Sequence, residues 1–135
     1  MAASLTNGNK LPFFVIMNCL NGFFHDVYTQ SLAEALMLAP NGGAVAVWAS
    51  SGLTNAGPQF QMNDQLMQAL FSQPAPALGD AVLKAKSGIS DIDVRRTFIL
   101  FGDPAMRLRM PGSTGETLGS SHLRTAISAG EKSER

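Results

Sequence analysis

Cysteine and histidine are scarce in this chain, which has a single cysteine, Cys19, and two histidines among its 135 residues. One cysteine cannot form a disulfide within the chain, so a disulfide-stapled fold is excluded. A structural zinc site draws four ligands mainly from cysteine and histidine, and two widely separated histidines do not supply them. We therefore expect neither a metal ion nor another cofactor.

Net charge and long apolar runs are missing as well. Ten basic and ten acidic residues cancel, which removes the electrostatic basis for binding nucleic acid or an anionic membrane. No apolar run approaches the roughly 18 residues that a membrane-spanning helix needs. The first ten residues lack the charged-then-apolar pattern of a signal peptide. We expect no nucleic-acid partner and no membrane span.

The segment around Cys19 carries the strongest signal that is present. Residues 11–18 are rich in Phe, Val and Ile and open with a proline, which predicts a buried strand. A thiol at the carboxyl end of such a strand lies where open α/β sheets build their sites, and a following helix can favour the thiolate. Position alone leaves two interpretations of Cys19 open. It can be a reactive nucleophile, or it can be a small buried hydrophobe, as a free cysteine often is.

The rest of the chain alternates helices with strands. Helical spacing predicts helices at about 28–39, 62–71 and 78–86, and Ser31 with Glu34 has the spacing of a capping box. Apolar runs predict further strands at 44–49 and 96–101, with a half-exposed strand at 106–110. A strand, helix and strand in this order imply parallel pairing through a right-handed crossover. Three buried strands in roughly 100 residues are few for a complete parallel sheet, which indicates part of a domain.

Five segments in order between Leu5 and Leu108 are similar to one protein family. They are Asn18–Phe24, Ser31–Leu36, Asn41–Thr54, Leu78–Ala81 and Phe101–Leu108. Together they resemble the gingipain-type cysteine peptidases, which have a caspase-like fold. The resemblance implies an α/β, doubly wound parallel sheet of which residues 1–111 represent only the C-terminal portion. Residues 112–135, rich in Ser, Thr and Gly, are expected to form a disordered tail.

The resemblance also implies a chemistry. Cys19 stands at the position of the family nucleophile, and a Cys-His dyad would hydrolyse peptide bonds of a protein or peptide substrate. The small residues Ser50, Ser51 and Gly52 resemble the segment that lines the substrate pocket in caspase-like enzymes. Arginine-specific members carry an aromatic residue deeper in this loop, and none stands between Leu53 and Gln59. The parent protein is expected to be bacterial and either secreted or exposed on the cell surface.

The histidine of the dyad is where this sequence departs from the family. Family members carry it N-terminal to the cysteine, in a His-Gly pair that ends the preceding strand, whereas none of the 18 residues before Cys19 is histidine. We therefore expect a fragment or an internal start, with the missing N-terminal half of the domain as its partner. His25, six residues after Cys19, could fold back toward the thiol, but such a pairing has no counterpart in the family, and a loop histidine bonded to backbone or solvent is the commoner case. His122 lies in the expected tail.

Two functions from different classes remain open at this stage. The first is the nucleophile half of a cysteine-type peptidase, inactive by itself because the upstream histidine is missing. The second is a catalytically silent caspase-like module used for binding or assembly. A flavodoxin-like nucleotide-binding domain is disfavoured, because the chain has neither a GxGxxG motif nor a phosphate loop.

Overall fold

A computed structural model describes residues 2–109 of the chain. After a short 3-10 helix at Ala2–Ser4, the described residues form three strands and four helices. The strands are β1 (Phe13–Val15), β2 (Ala46–Ser50) and β3 (Phe98–Phe101), and the helices are α1 (Leu32–Met37), α2 (Ala56–Leu70), α3 (Leu78–Ser87) and α4 (Ile92–Thr97). The expected domain end at residue 111 and the expected tail at 112–135 lie outside the described residues.

The three strands form one sheet in the order β1-β2-β3. β1 and β2 are parallel, as the strand, helix and strand pattern predicts. β3 is antiparallel to β2, so the prediction of a wholly parallel sheet is wrong for this strand. The physical reason is α4, a helix that the sequence reading missed. α4 ends at the strand itself and delivers Phe98 opposite Ser50, at the carboxyl end of β2, so β3 must run backwards along its neighbour.

The central strand β2 is the middle of the core, because all five of its residues are buried. On one face Trp48 is fully buried and packs against Phe98 with ring centroids 5.5 Å apart among apolar residues of α2 and α3. On the other face Val47 and Ala49 pack against α1. The burial of both faces explains why this strand is apolar without alternation.

α1 is shorter than the predicted helix at 28–39 because the chain caps it at Ser31. The Ser31 hydroxyl accepts a hydrogen bond from the Glu34 N–H, and the Glu34 carboxylate accepts one from the Ser31 N–H, which confirms the capping box. Upstream, the Asp26 carboxylate accepts from the Tyr28 N–H and the Thr29 hydroxyl, which holds a turn rather than a helix.

α2 begins six residues earlier than the predicted start at residue 62, because its first residue is Ala56. Gln59 therefore lies in the first turns of a helix. α3 matches the prediction at 78–86 to within one residue, and Gly88 is its C-cap. The segment 106–109 keeps its alternation of half-buried and exposed residues, but forms no regular strand.

β1 has one open edge, and its two faces are incompletely covered. β2 pairs with one edge of this strand, and among residues 2–109 no strand pairs with the other edge, the free side of β1. Phe13, Phe14 and Val15 are only partly buried, and a groove of about 490 Å³ beside them is lined mainly by apolar side chains.

In the described part of the chain, no helix has both the length and the apolar character that crossing a bilayer requires.

The open side of β1 leads to a prediction about the 135-residue chain in solution. Unpaired strand edges and exposed apolar surface promote association, so we expect marginal stability and a concentration-dependent oligomer or aggregate. Size-exclusion chromatography over a range of concentrations, combined with urea denaturation, measures both properties. A monodisperse monomer that unfolds cooperatively, with a free energy of unfolding of about 5 kcal/mol or more, would contradict this.

Candidate active site

Cys19 is held in place by backbone hydrogen bonds from the residues after β1 to β2 and to Gly52 just beyond it. The Ile16 N–H donates to the Trp48 carbonyl at 2.8 Å, the Leu20 N–H to the Gly52 carbonyl at 3.3 Å and the Gly22 N–H to the Ser50 carbonyl at 2.9 Å. Cys19 therefore lies beyond the carboxyl end of β1, beside the chain that leaves β2, and it is partly accessible. This location confirms the position predicted from the sequence.

The backbone next to Cys19 has two unusual features. Leu20 has a φ of 63°, in the left-handed region that costs a residue with a side chain about 1–2 kcal/mol. At Gly22, an added Cβ would lie 2.9 Å from a ring carbon of Phe101 and 3.2 Å from Ala49. A strained residue and an obligatory close approach thus both follow the cysteine in the chain. They accompany a turn that brings the chain back onto the sheet, where the Gly22 N–H donates to the Ser50 carbonyl.

The sulfur of Cys19 contacts Thr54, which lies just before α2, and Gln59, which lies in the first turns of α2. The Thr54 N–H donates to Sγ at 3.4 Å, and Sγ lies 3.4 Å from the Thr54 carbonyl oxygen and 3.8 Å from Thr54 Oγ1. The Gln59 side-chain nitrogen Nε2 lies 3.8 Å from the same sulfur. Thr54 immediately precedes the N-cap residue Asn55, so these contacts place the beginning of α2 beside the thiol.

These contacts lower the pKa of the Cys19 thiol below its ordinary value. The largest cause is the hydrogen bond from the Thr54 backbone, followed by that of the Thr54 side chain, and partial burial opposes them. The Gln59 amide and the N–H of Cys19 itself lower the pKa further. The sequence predicts that the helix following Cys19 lowers the pKa of the thiol. This prediction is wrong, because α1 begins only at Leu32 and the sulfur contacts the start of α2.

The predicted substrate-binding residues Ser50, Ser51 and Gly52 lie at the same edge of the sheet. The Ser50 hydroxyl donates to the Gly52 carbonyl and contacts the Thr97 hydroxyl at 3.2 Å, and the Ser51 hydroxyl donates to the Thr97 carbonyl at 3.0 Å. Ser50 and Ser51 are buried, so their hydroxyls brace the loop against the end of α4. A role of this segment in substrate binding stays a prediction.

A small cavity of about 70 Å³ lies next to Gln59, and its walls are Met17, Ala56, Gln59 and Phe60. Met17 belongs to the segment that leads to Cys19, and Gln59 contacts the sulfur itself. The cavity is therefore linked to the thiol through Gln59, although Cys19 itself is not one of its walls. No wall residue carries a formal charge.

Thr54 and Gln59 are the functional candidates that sequence reasoning missed. Nothing in the local pattern singles out a threonine in a polar loop. Gln59 did carry a signal, because it is the one polar member of the buried stripe of α2 that continues with Met62, Leu66 and Ala69. That signal became visible only once the helix was known to begin at Ala56.

His25 is not paired with Cys19. Its ring is stacked on Phe24 with centroids 4.0 Å apart and lies 5.2 Å from the ring of Phe23. Among the described residues, the hydrogen-bond partners of the Cys19 thiol are Thr54 and Gln59. His122 lies outside the described residues. Residues 2–109 therefore present a candidate nucleophile without an imidazole base beside it.

Comparisons with known proteins agree with this geometry. A search of curated proteins gave no significant match. The crystal structure of the Arg-specific cysteine proteinase gingipain R is 27% identical, with a TM-score of 0.73 over 80% of this chain and 28% of the solved chain. A complex of the pro- and mature domains of RgpB from Porphyromonas gingivalis is 24% identical, with a TM-score of 0.72 over 80% of this chain.

The chain spans only 28% and 29% of the length of these two solved chains. It therefore has part of the α/β caspase-like fold that the resemblance implies, with the mixed sheet described above. The family model for peptidase family C25 matches residues 1–109. The chain accordingly belongs to peptidase family C25.

Proposed function

We propose that this chain carries the nucleophile half of a cysteine peptidase and that Cys19 is the nucleophile. The observation that carries the proposal is the position of the thiol, partly accessible at the carboxyl end of β1 and contacted by hydrogen-bond donors of Thr54 and Gln59. Membership of a cysteine peptidase family gives this geometry its chemical meaning.

The proposed reaction begins with attack of the Cys19 thiolate on the carbonyl carbon of the scissile peptide bond. The carbonyl oxygen becomes negative in the tetrahedral intermediate, and the backbone N–H of Cys19 is a candidate donor to it. The departing amine takes a proton from an imidazolium, which leaves a thioester on Cys19. Water, deprotonated by the same imidazole, then hydrolyses the thioester and restores the thiol.

We propose that this imidazole comes from polypeptide outside residues 2–109. The one histidine in that range, His25, is stacked on Phe24 rather than paired with the thiol. The free side of β1 offers a place for a further strand. A parallel strand added there would end at the same edge of the sheet as β1, and so beside Cys19. A histidine at its end would then complete the dyad.

A second candidate function is a catalytically silent module of the same fold, used for binding or assembly. The observation that favours it is the same lack of an imidazole beside Cys19 among the described residues. In that case the free side of β1 would bind a partner without assembling a dyad. The two functions differ in whether docking of a partner segment creates peptidase activity.

The cavity beside the thiol bears on the proposed substrate. Its volume of about 70 Å³ and its uncharged walls, three of them apolar, suit a small apolar side chain better than a guanidinium. We therefore propose cleavage next to residues such as alanine or valine.

The first prediction concerns peptide cleavage. The 135-residue chain alone should show no peptidase activity on a fluorogenic peptide library, because the leaving amine lacks a proton donor worth roughly 10²–10⁴-fold in rate. Joining it to an in-frame upstream segment that contains a His-Gly pair should create activity, and Cys19→Ala should abolish that activity. Robust cleavage by the chain alone, lost in His25→Ala, would instead make His25 the base. A complemented protein that stays inactive would favour the silent module.

The second prediction concerns the ionisation of the thiol. A lowered pKa means more thiolate at neutral pH, so Cys19 should react with iodoacetamide at pH 7 faster than a free cysteine, of which about 3% is thiolate. The rate should rise with pH to a plateau whose midpoint lies below that of the urea-unfolded chain. Equal midpoints for the folded and the unfolded chain would show that the contacts of Thr54 and Gln59 leave the thiol unchanged.

The third prediction concerns the cavity. In the complemented enzyme, Ala56→Leu should fill the space between Met17 and Phe60 and raise KM for substrates with valine before the scissile bond. Leu53→Ala, an exposed change just before α2, is the matched control and should leave KM unchanged. A preference for arginine in the wild-type complemented enzyme would refute the assignment of this cavity to a small apolar side chain.

A further inference from the structure

We infer that Gln59 is a positioning residue for Cys19, and that it acts through Thr54 to hold the sulfur in a reactive arrangement. Its place in the fold is the first indication. Gln59 is 5% exposed and lies on the buried stripe of α2, where the next two members are the fully buried Met62 and Leu66. A polar side chain buried among apolar ones costs stability unless it is hydrogen-bonded, so its hydrogen bonds carry the argument.

These hydrogen bonds form a closed arrangement around the sulfur. Gln59 Nε2 donates to Thr54 Oγ1 at 2.5 Å and to the Thr54 carbonyl at 3.3 Å, and it lies 3.8 Å from Cys19 Sγ. Thr54 in turn contacts the same sulfur with its N–H and its carbonyl, each at 3.4 Å. The Gln59 amide thus holds Thr54 in position and also contacts the sulfur directly.

The chemistry of ionisation explains why an amide is useful at this place. The Thr54 carbonyl accepts a hydrogen bond from the neutral thiol, but its negative oxygen faces the sulfur when the proton leaves. The two N–H groups of the Gln59 amide are shared among the Thr54 hydroxyl, this carbonyl oxygen and the sulfur, so positive N–H dipoles lie against both the carbonyl oxygen and the sulfur. The amide therefore offsets the repulsion that the thiolate would otherwise meet. Leucine at this position would fill the space without supplying the donor.

Only the catalytic use of this arrangement rests on the proposed peptidase function. The positioning itself is a property of the thiol and can be measured without any substrate. Gln59 also lines the small cavity next to Cys19, so the same side chain links the thiol to the space proposed for the substrate.

The test is the pH dependence of the second-order rate of alkylation of Cys19 by iodoacetamide in the 135-residue chain. We expect Gln59→Leu to raise the midpoint by about half a pH unit and to lower the rate at pH 7 about threefold. Gln59→Glu keeps the shape but replaces the donor with a negative acceptor, so it should raise the midpoint further. The matched control is Gln61→Leu, the same change at an exposed position of the same helix, which should leave the midpoint unchanged.

Thermal denaturation of each variant separates positioning from folding. If Gln59→Leu merely unfolded the chain, its thiol would show the midpoint of the urea-unfolded wild type and its melt would be lost. Thr54→Val then replaces it, because this change keeps the shape and removes the hydroxyl that accepts from Nε2 and itself lies 3.8 Å from Sγ. We expect an upward shift of the midpoint at least as large as that of Gln59→Leu. A folded Gln59 or Thr54 variant with the wild-type midpoint would overturn the inference, whether or not the parent protein is a peptidase.

Discussion

The parallel pairing of β1 with β2 is the constraint on which the rest of the structure depends. Beyond β1, the Ile16 N–H donates to the Trp48 carbonyl and the Leu20 N–H donates to the Gly52 carbonyl. The chain then turns back, so that the Gly22 N–H donates to the Ser50 carbonyl at the end of β2. Cys19 is therefore held between two points of attachment to β2 and the residues after it, and the left-handed Leu20 and the close approach at Gly22 accompany this turn.

The lowered pKa of the thiol depends on the segment of chain that follows β2. β2 leads through a short braced loop into α2, whose beginning brings Thr54 and Gln59 to the sulfur. The hydroxyls of Ser50 and Ser51 fix this loop on Thr97 at the end of α4, so the antiparallel third strand contributes to the site indirectly. The carboxyl edge of the sheet and the beginning of α2 thus meet at one sulfur atom, and the end of α4 supports the loop that joins them.

The described residues bring the proposed nucleophile and its hydrogen-bond donors together without an imidazole. The histidine in the described part belongs to an aromatic stack with Phe24. The incompletely covered faces of β1 lie on the strand that leads to Cys19. In this arrangement, completion of the sheet and completion of the dyad would be a single event. A further strand beside β1 would bury apolar surface and deliver its own end to the thiol.

Local pattern in the sequence determined the α/β class, the parallel pair formed by the first two strands, the capping box at Ser31 and the place of Cys19 at a strand end. Each of these follows from apolar periodicity or from residues within a few positions of one another. The antiparallel third strand, the early start of α2 and the partners of the thiol were decided only by tertiary structure. Thr54 and Gln59 stand 35 and 40 residues from Cys19 in the chain. No local pattern encodes such contacts, because they arise only when the crossover from β1 to β2 brings the two strand ends together.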